Sequence, residues 1–189
     1  MQNRTPRIPQ QPAPNRAEFD ARLTVELAAV VTGARRRALR DGDRQIDTAH
    51  LLHSLIESDP EVRAAFEGGP QLAKVLGYLV QRSIGYGLRW QGAVEDSGAV
   101  PVVRHPDSAV RDTGAEGWSP SAASAMAGAR ERAESRGDAR AGGLDLLAAL
   151  ATDRECRAVE VLERAGVEVG QLAARIAGAS GQGWQGTGG

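Results

Sequence analysis

The sequence predicts an all-α fold of two tandem four-helix repeats, on three observations. Thr24–Leu55 reappears without a gap 95 positions later as Ser119–Leu150, so that Gly33, Ala34, Arg37, Ala38, Gly42, Asp43, Leu51, Leu52 and Leu55 fall on Gly128, Ala129, Arg132, Ala133, Gly137, Asp138, Leu146, Leu147 and Leu150. Apolar residues in both copies recur at helical spacing. Each copy also opens on a hydroxyl residue suited to an N-cap, Thr24 or Ser119, the latter followed by Pro120 at the first helical position.

Residues 1–18, rich in Pro, Gln and Arg, carry almost nothing to bury and read as a disordered arm. The first repeat, 19–84, starts a helix at Thr24 with Leu27, Val30, Val31, Ala34 and Ala38 on one face, and Gly42 ends it. Ile46 points inward, Asp47 or Thr48 caps a second helix with Leu51, Leu52, Leu55 and Ile56, and Pro60 opens a third. Pro70 opens a fourth, whose buried side is Leu72, Val75, Leu76, Leu79 and Val80. Residues 85–117 read as a linker with a short hairpin turning at Asp96–Gly98. The second repeat, 118–178, follows the first, with helices near 120–136, 144–152, 155–165 and 168–177, and 179–189 is a Gly-rich tail. Where the first copy has Leu27, Val30, Leu39 and Ile46, the second has Ala122, Ala125, Glu134 and Ala141, so it must draw its helices together or lean on its partner.

Composition excludes several functions. A formal net charge of −1 gives no bulk attraction for nucleic acid or an anionic membrane. The sole lysine, Lys74, lies in Gln-Leu-Ala-Lys-Val, which is no phosphate-binding P-loop. Cys156 alone makes neither a disulfide nor a thiolate-rich metal site, and no signal-like or membrane-spanning apolar run occurs, so a cytoplasmic protein is expected. No Gly-x-Ser-x-Gly elbow is present and no nucleophile, base and orienter fall together, so no enzyme and no catalytic residue is expected.

Three clusters admit two readings each. Asp47, His50 and His53 sit at a spacing that converges on a metal, yet without a remote fourth ligand, and the plainer reading is a packed His50 with His53 facing solvent or the other repeat. Arg35, Arg36, Arg37 and Arg40 form a basic cluster echoed by Arg130 and Arg132; lacking interleaved aromatics, it reads as a solvated face before a nucleic-acid site. Phe19 and Trp118, each just ahead of a cap, staple their helices or offer an apolar contact.

A helix opening at Thr or Ser, an alanine face, a glycine turn and then Ile46-x-Thr48-x-His50-Leu51-Leu52-x-x-Leu55, with Gly142, Leu146, Leu147 and Leu150 in the second copy, resembles the N-terminal repeat domain of Clp ATPases. The resemblance spans roughly residues 19–178, and the chain is most similar to the ClpC type. It implies an all-helical pseudo-twofold domain that receives substrates and adaptors and, in the ClpC type, phosphoarginine. Here, without AAA+ rings, it implies a stand-alone module that binds but does not unfold. The family's Thr-Glu-His triplet, whose glutamate anchors the guanidinium, reads Thr48-Ala49-His50 and Gly143-Leu144-Asp145 here, so both glutamates are gone. Thr24 and Ser119 are kept at helix N-termini suited to a phosphate, and Asp145 offers a displaced carboxylate. The implied peptide-binding residues are therefore Phe19, Leu23, Thr24, His50, Trp118, Ser119 and Asp145, with no cofactor and no metal. The function implied is an adaptor or regulator of a Clp protease or chaperone, meeting the ATPase or its substrates, with doubtful phosphoarginine binding. Alternatives are a protein that sequesters cyclic-peptide antibiotics aimed at Clp N-domains, or a scaffolding or DNA-associated protein.

Overall fold

The computed structural model describes residues 21–83, 95 and 117–181. The expected arm at 1–18, Phe19, the hairpin at Asp96–Gly98 and the tail beyond 181 lie outside them. Among the described residues there are eight helices and no strand: α1 Val25–Asp41, α2 Thr48–Ser58, α3 Pro60–Ala64, α4 Gly69–Ser83, α5 Pro120–Ser135, α6 Gly143–Thr152, α7 Arg157–Arg164 and α8 Val169–Gly181. None is long and apolar enough to cross a membrane.

Local chemistry sets the helix ends. Thr24 Oγ1 accepts from Leu27 N at 3.2 Å and Ser119 Oγ from Ala122 N at 3.1 Å, each satisfying an amide that lacks an intrahelical partner. After α1 and α5 the chain turns through Gly42 at φ 75° and Gly137 at φ 80°, the left-handed region that only glycine enters freely. The matching turn bonds, Asp43 N to Ala38 O and Asp138 N to Ala133 O, are both 2.9 Å.

The two copies exchange their leading segments. Thr24 N donates to Ala141 O at 2.9 Å and Ala141 N to Arg22 O at 2.9 Å; by the same pattern Ser119 N donates to Ile46 O at 2.8 Å and Ile46 N to Gly117 O at 2.6 Å. Each pair forms one isolated parallel bridge, Leu23 with Ala141 and Trp118 with Ile46, and the 95-residue shift turns one bridge into the other. The architecture is therefore a pseudo-twofold in which each copy completes the other. Buried side chains from both copies, Leu51, Leu52 and Leu55 with Leu146, Leu147 and Leu150 among them, form one continuous apolar core. From α8, Arg175 crosses to the first copy, donating to Ala65 O at 2.8 Å and pairing with Glu67 at 2.7 Å. The alanine-rich second copy thus leans on the first.

Two details depart from the sequence expectation. Leu39 is 73% exposed and its counterpart Glu134 is exposed as well, so this pair takes no part in the difference between the two cores. Val80 is half exposed and only Val75 and Leu79 of α4 are fully buried, because α4 packs along one narrow stripe at the edge of the bundle.

A carboxylate is set between the copies at two equivalent places. Glu95, 5% exposed, accepts from Thr48 N at 2.9 Å, Ser119 Oγ at 2.8 Å and Arg157 N at 2.7 Å, and also from the Thr48 hydroxyl. It thereby caps α2 and α7 together and holds the N-cap of α5, with Ala158 N donating to Thr48 Oγ1 at 3.0 Å beside it. At the pseudo-symmetric place Asp59 accepts from Glu61 N at 2.9 Å and Val62 N at 3.2 Å at the start of α3. Its Oδ2 lies 2.0 Å from where a Cβ on Gly143 would stand, which is why glycine replaces the threonine of the first copy.

Glu95→Ala is expected to leave these buried donors unpaired and to lower unfolding free energy by about 2–4 kcal/mol in urea, with Glu95→Gln between it and wild type. A wild-type midpoint for Glu95→Ala contradicts the pin. Gly143→Ala is expected to cost about 1–3 kcal/mol by driving Asp59 and Val62 away. Gly142→Ala, whose Cβ meets nothing nearer than 3.9 Å, serves as the mild control.

Candidate functional site

Residues singled out from the sequence gather at two related places, one at each bridge. At the first, Leu23 and Thr24 lie against Ala141 and Gly142, and a Cβ built on Gly142 would stand 3.9 Å from both Thr24 Cγ2 and Asp145 Oδ2. At the second, Trp118 and Ser119 lie against Ile46 and the turn that enters α2, where His50 sits. The structure thus sets Thr24 of one copy beside Asp145 of the other, a juxtaposition that their separation in sequence hides.

Their chemistry is largely spoken for. Leu23 and Trp118 are 2% and 5% exposed, so Trp118 does not offer the apolar contact surface expected of it; each is the buried side of a bridge. Ser119 Oγ is engaged by Ala122 N and Glu95. Asp145 accepts Gly142 N at 3.0 Å and holds Arg136 in a two-pronged pair at 2.6 and 2.9 Å. The carboxylate expected to be open to an incoming guanidinium already carries one from its own chain. Thr24 alone of the described candidates is partly exposed.

At the equivalent place in the first copy the residue types are exchanged. Position 41 is Asp where 136 is Arg, and position 50 is His where 145 is Asp. His50 N donates to Asp47 Oδ1 at 2.9 Å while Asp47 N donates to His50 Nδ1 at 3.1 Å, a reciprocal capping box, and His50 Nε2 lies 3.2 Å from Asp43 and 3.7 Å from Asp41. Asp47 is 1% exposed and receives Arg157 of the other copy at 2.6 Å, together with Arg82. Burial opposes its ionisation, but the His50 hydrogen bonds and the neighbouring positive charges prevail and hold the carboxyl well below the usual carboxylate range.

Asp43, Asp47 and His50 have ligand atoms within 4.8 Å of one another. Two arginines already deliver positive charge to Asp47, so this trio is a capped helix start with its counter-ions. His53, the third ligand offered by the spacing, goes elsewhere. It is 5% exposed rather than facing solvent, with Nε2 3.2 Å from Glu57 and Nδ1 3.4 Å from Arg37. Burial, then the Arg37 charge, push its pKa down to about 4. Arg37 in turn is bound to Ser54 and Glu57, so it does not share the solvated face expected of the arginine cluster. Burial raises the Cys156 thiol to about 11, which leaves it unreactive at neutral pH.

Glu95, Arg136, Arg82 and Arg157 are the residues that sequence reasoning missed. For Arg136 a signal existed in the exchange of Asp41 and His50 for Arg136 and Asp145 between the copies. For Glu95 there was none.

No protein-family model matches the sequence, and no curated protein matches it. Among solved structures, the chain is similar to the N-terminal domain of the caseinolytic protease associated chaperone ClpD from Arabidopsis thaliana, at 19% identity and a TM-score of 0.56, over 86% of this chain and 96% of that one. That likeness shows the fold, which is the Clp N-domain fold; it does not single out the ClpC type.

Both buried groups link stability to pH in the same direction. His53 has a folded pKa below its ordinary 6.5, so its stabilisation is whole above pH 6.5 and is lost as pH falls toward about 4, where the unfolded chain takes up the proton first. Asp47 adds a second loss below its ordinary 3.8. Urea melts from pH 7 to 4 should show falling stability, with a flatter slope in His53→Gln; a flat wild-type profile contradicts the assignment.

Proposed function

We propose that this chain is a non-enzymatic protein- or peptide-binding module of a cytoplasmic Clp chaperone–protease system, acting as an adaptor or regulator that meets the ATPase or its substrates. The observation that carries the proposal is the likeness to a chaperone's N-terminal domain over nearly the whole of both chains. The pseudo-twofold built by the two bridges supports it, because it keeps the two cap residues Thr24 and Ser119 at equivalent places.

Phosphoarginine is not the ligand in this proposal. Ala49 and Leu144 stand where the resembled family places its guanidinium-binding glutamates, Asp145 is engaged by Arg136, and the Ser119 hydroxyl is engaged by Glu95. The burial of Leu23 and Trp118 likewise removes the described apolar residues on which capture of cyclic-peptide antibiotics would rest.

The test is co-purification with the Clp ATPase of the same cell, using a hydrolysis-deficient ATPase that retains its partners. Retention of this chain, lost when the bridge is disturbed by Ala141→Asp, supports the module. Failure of the purified ATPase to bind it, or to change its degradation of a model substrate in its presence, overturns it. Calorimetry with a phosphoarginine peptide is expected to show no tight binding, and tight binding lost in Thr24→Ala would restore that ligand.

A further inference from the structure

A cleft of about 600 Å³ runs along α5 and α6. The two helices are antiparallel there. A Cβ added to Gly128 would meet the Ala149 methyl at 3.4 Å, and four residues further along α5 Arg132 lies 4.0 Å from Asp145. Carried back in the same register, Ser124 comes opposite Asp153 and Ser121 opposite Cys156, where α6 has ended and the chain turns toward α7.

Once its ion pairs are set aside, the cleft is negative. Arg132 and Arg136 are matched by Asp145 and Asp138 in one cluster. Two lining carboxylates remain, Glu131 and Asp153, and no ion pair among the described residues neutralises either. Arg154 and Glu155, both exposed on the turn beyond, offset one another. The last carbonyls of α6 point toward the Asp153 end and add the negative pole of a helix dipole. The positive ends of α5 and α7 lie near as well, but the Glu95 carboxylate is already set against both. At the matching places the first copy has Arg36 and Ser58 instead of Glu131 and Asp153, so this charge belongs to the second copy alone.

Two polar atoms at that end are buried without a hydrogen-bond partner, Asp153 Oδ2 and the hydroxyl of Ser121, a residue only 1% exposed. Native structures seldom leave such groups unsatisfied. Asp153 Oδ1 already accepts from Glu155 N at 3.1 Å, which leaves a single carboxylate oxygen for a ligand. A guanidinium is matched best by both oxygens at once, whereas an ammonium is a point donor that single acceptors satisfy. We propose that the α5–α6 cleft binds an extended peptide through a lysine side chain, whose ammonium donates to Asp153 Oδ2 and to the Ser121 hydroxyl. The methylene stem of that lysine lies along Ala125 and Leu150. At the other end Arg132 Nε–H, which lacks a hydrogen-bond partner although its charge is met by Asp145, donates to a peptide carbonyl. From Ser121 to Arg132 the helix rises about 16 Å, which about five residues of extended chain span. The proposal rests on the reading of the chain as a peptide-binding module and names one peptide class for it.

The test is a backbone-amide chemical-shift titration of the purified chain with acetylated, amidated alanine hexapeptides that carry a central lysine, acetyl-lysine or arginine, and with n-butylammonium chloride. The lysine peptide is expected to shift Ser121, Ser124, Ala149 and Asp153 and to bind about tenfold tighter than the acetyl-lysine peptide, with the arginine peptide between them. Butylammonium, which lacks the peptide backbone, should bind more weakly than the lysine peptide. Asp153→Asn, which keeps the Oδ1 acceptor for Glu155 N, should erase the preference for lysine over acetyl-lysine. Ser124→Lys supplies an ammonium from an exposed position opposite Asp153, and should fold with an unchanged or higher melting temperature and exclude the peptide. Equal affinity for the lysine and acetyl-lysine peptides, a preference that survives Asp153→Asn, shifts confined to other surfaces, or no binding by any peptide overturns the proposal. So does butylammonium binding as tightly as the lysine peptide, or unimpaired binding to Ser124→Lys. Because no arm involves the ATPase, loss of this site leaves the co-purification result standing, and the converse holds as well.

Discussion

The Glu95 carboxylate is the constraint on which the arrangement of the two copies depends. It is buried where α2, α5 and α7 begin, and a buried carboxylate is tolerable only when its oxygens are met by donors. Those donors come from both copies, so the charge is satisfied only when the copies are docked. Helix N-termini suit it for two reasons: their amides lack intrahelical partners, and their dipoles favour negative charge. Asp59 meets the same need at the start of α3, and Asp47, between Arg82 and Arg157, adds an ion cluster that spans the copies.

With the scaffold held in this way, side chains around it were free to diverge. Arg136 with Asp145 stands where the first copy has Asp41 with His50, a different pair of partners at the same two places. Arg37 pairs with Glu57, whereas Thr152 stands at the counterpart of Glu57 and Arg132 faces Asp145 instead. Gly143 accommodates Asp59 where Thr48 helps to hold Glu95. Divergence of this kind keeps the fold while changing the side chains that each copy presents.

Much of the fold was legible because its signals are local. Thr24, Ser119 and Pro120 mark helix starts, Gly42 and Gly137 mark turns, and the spaced leucines of α2 and α6 mark buried faces; each acts within a few residues. The site was less legible because its partners are distant. Glu95 lies 47 residues from Thr48 and 62 from Arg157, inside a stretch whose composition announces only a linker. Trp118 read as an apolar contact because it stands just ahead of a helix cap, but the exchange of leading segments buries it together with Leu23.

Native-state amide exchange across a urea series most directly tests whether the buried carboxylates make the two copies one cooperative unit. If they do, amides in α2, α6 and α7 exchange through a single opening, with one free energy and one urea dependence, and Glu95→Ala lowers all three together. Separate openings for the two copies, with Glu95→Ala affecting only one, would contradict it.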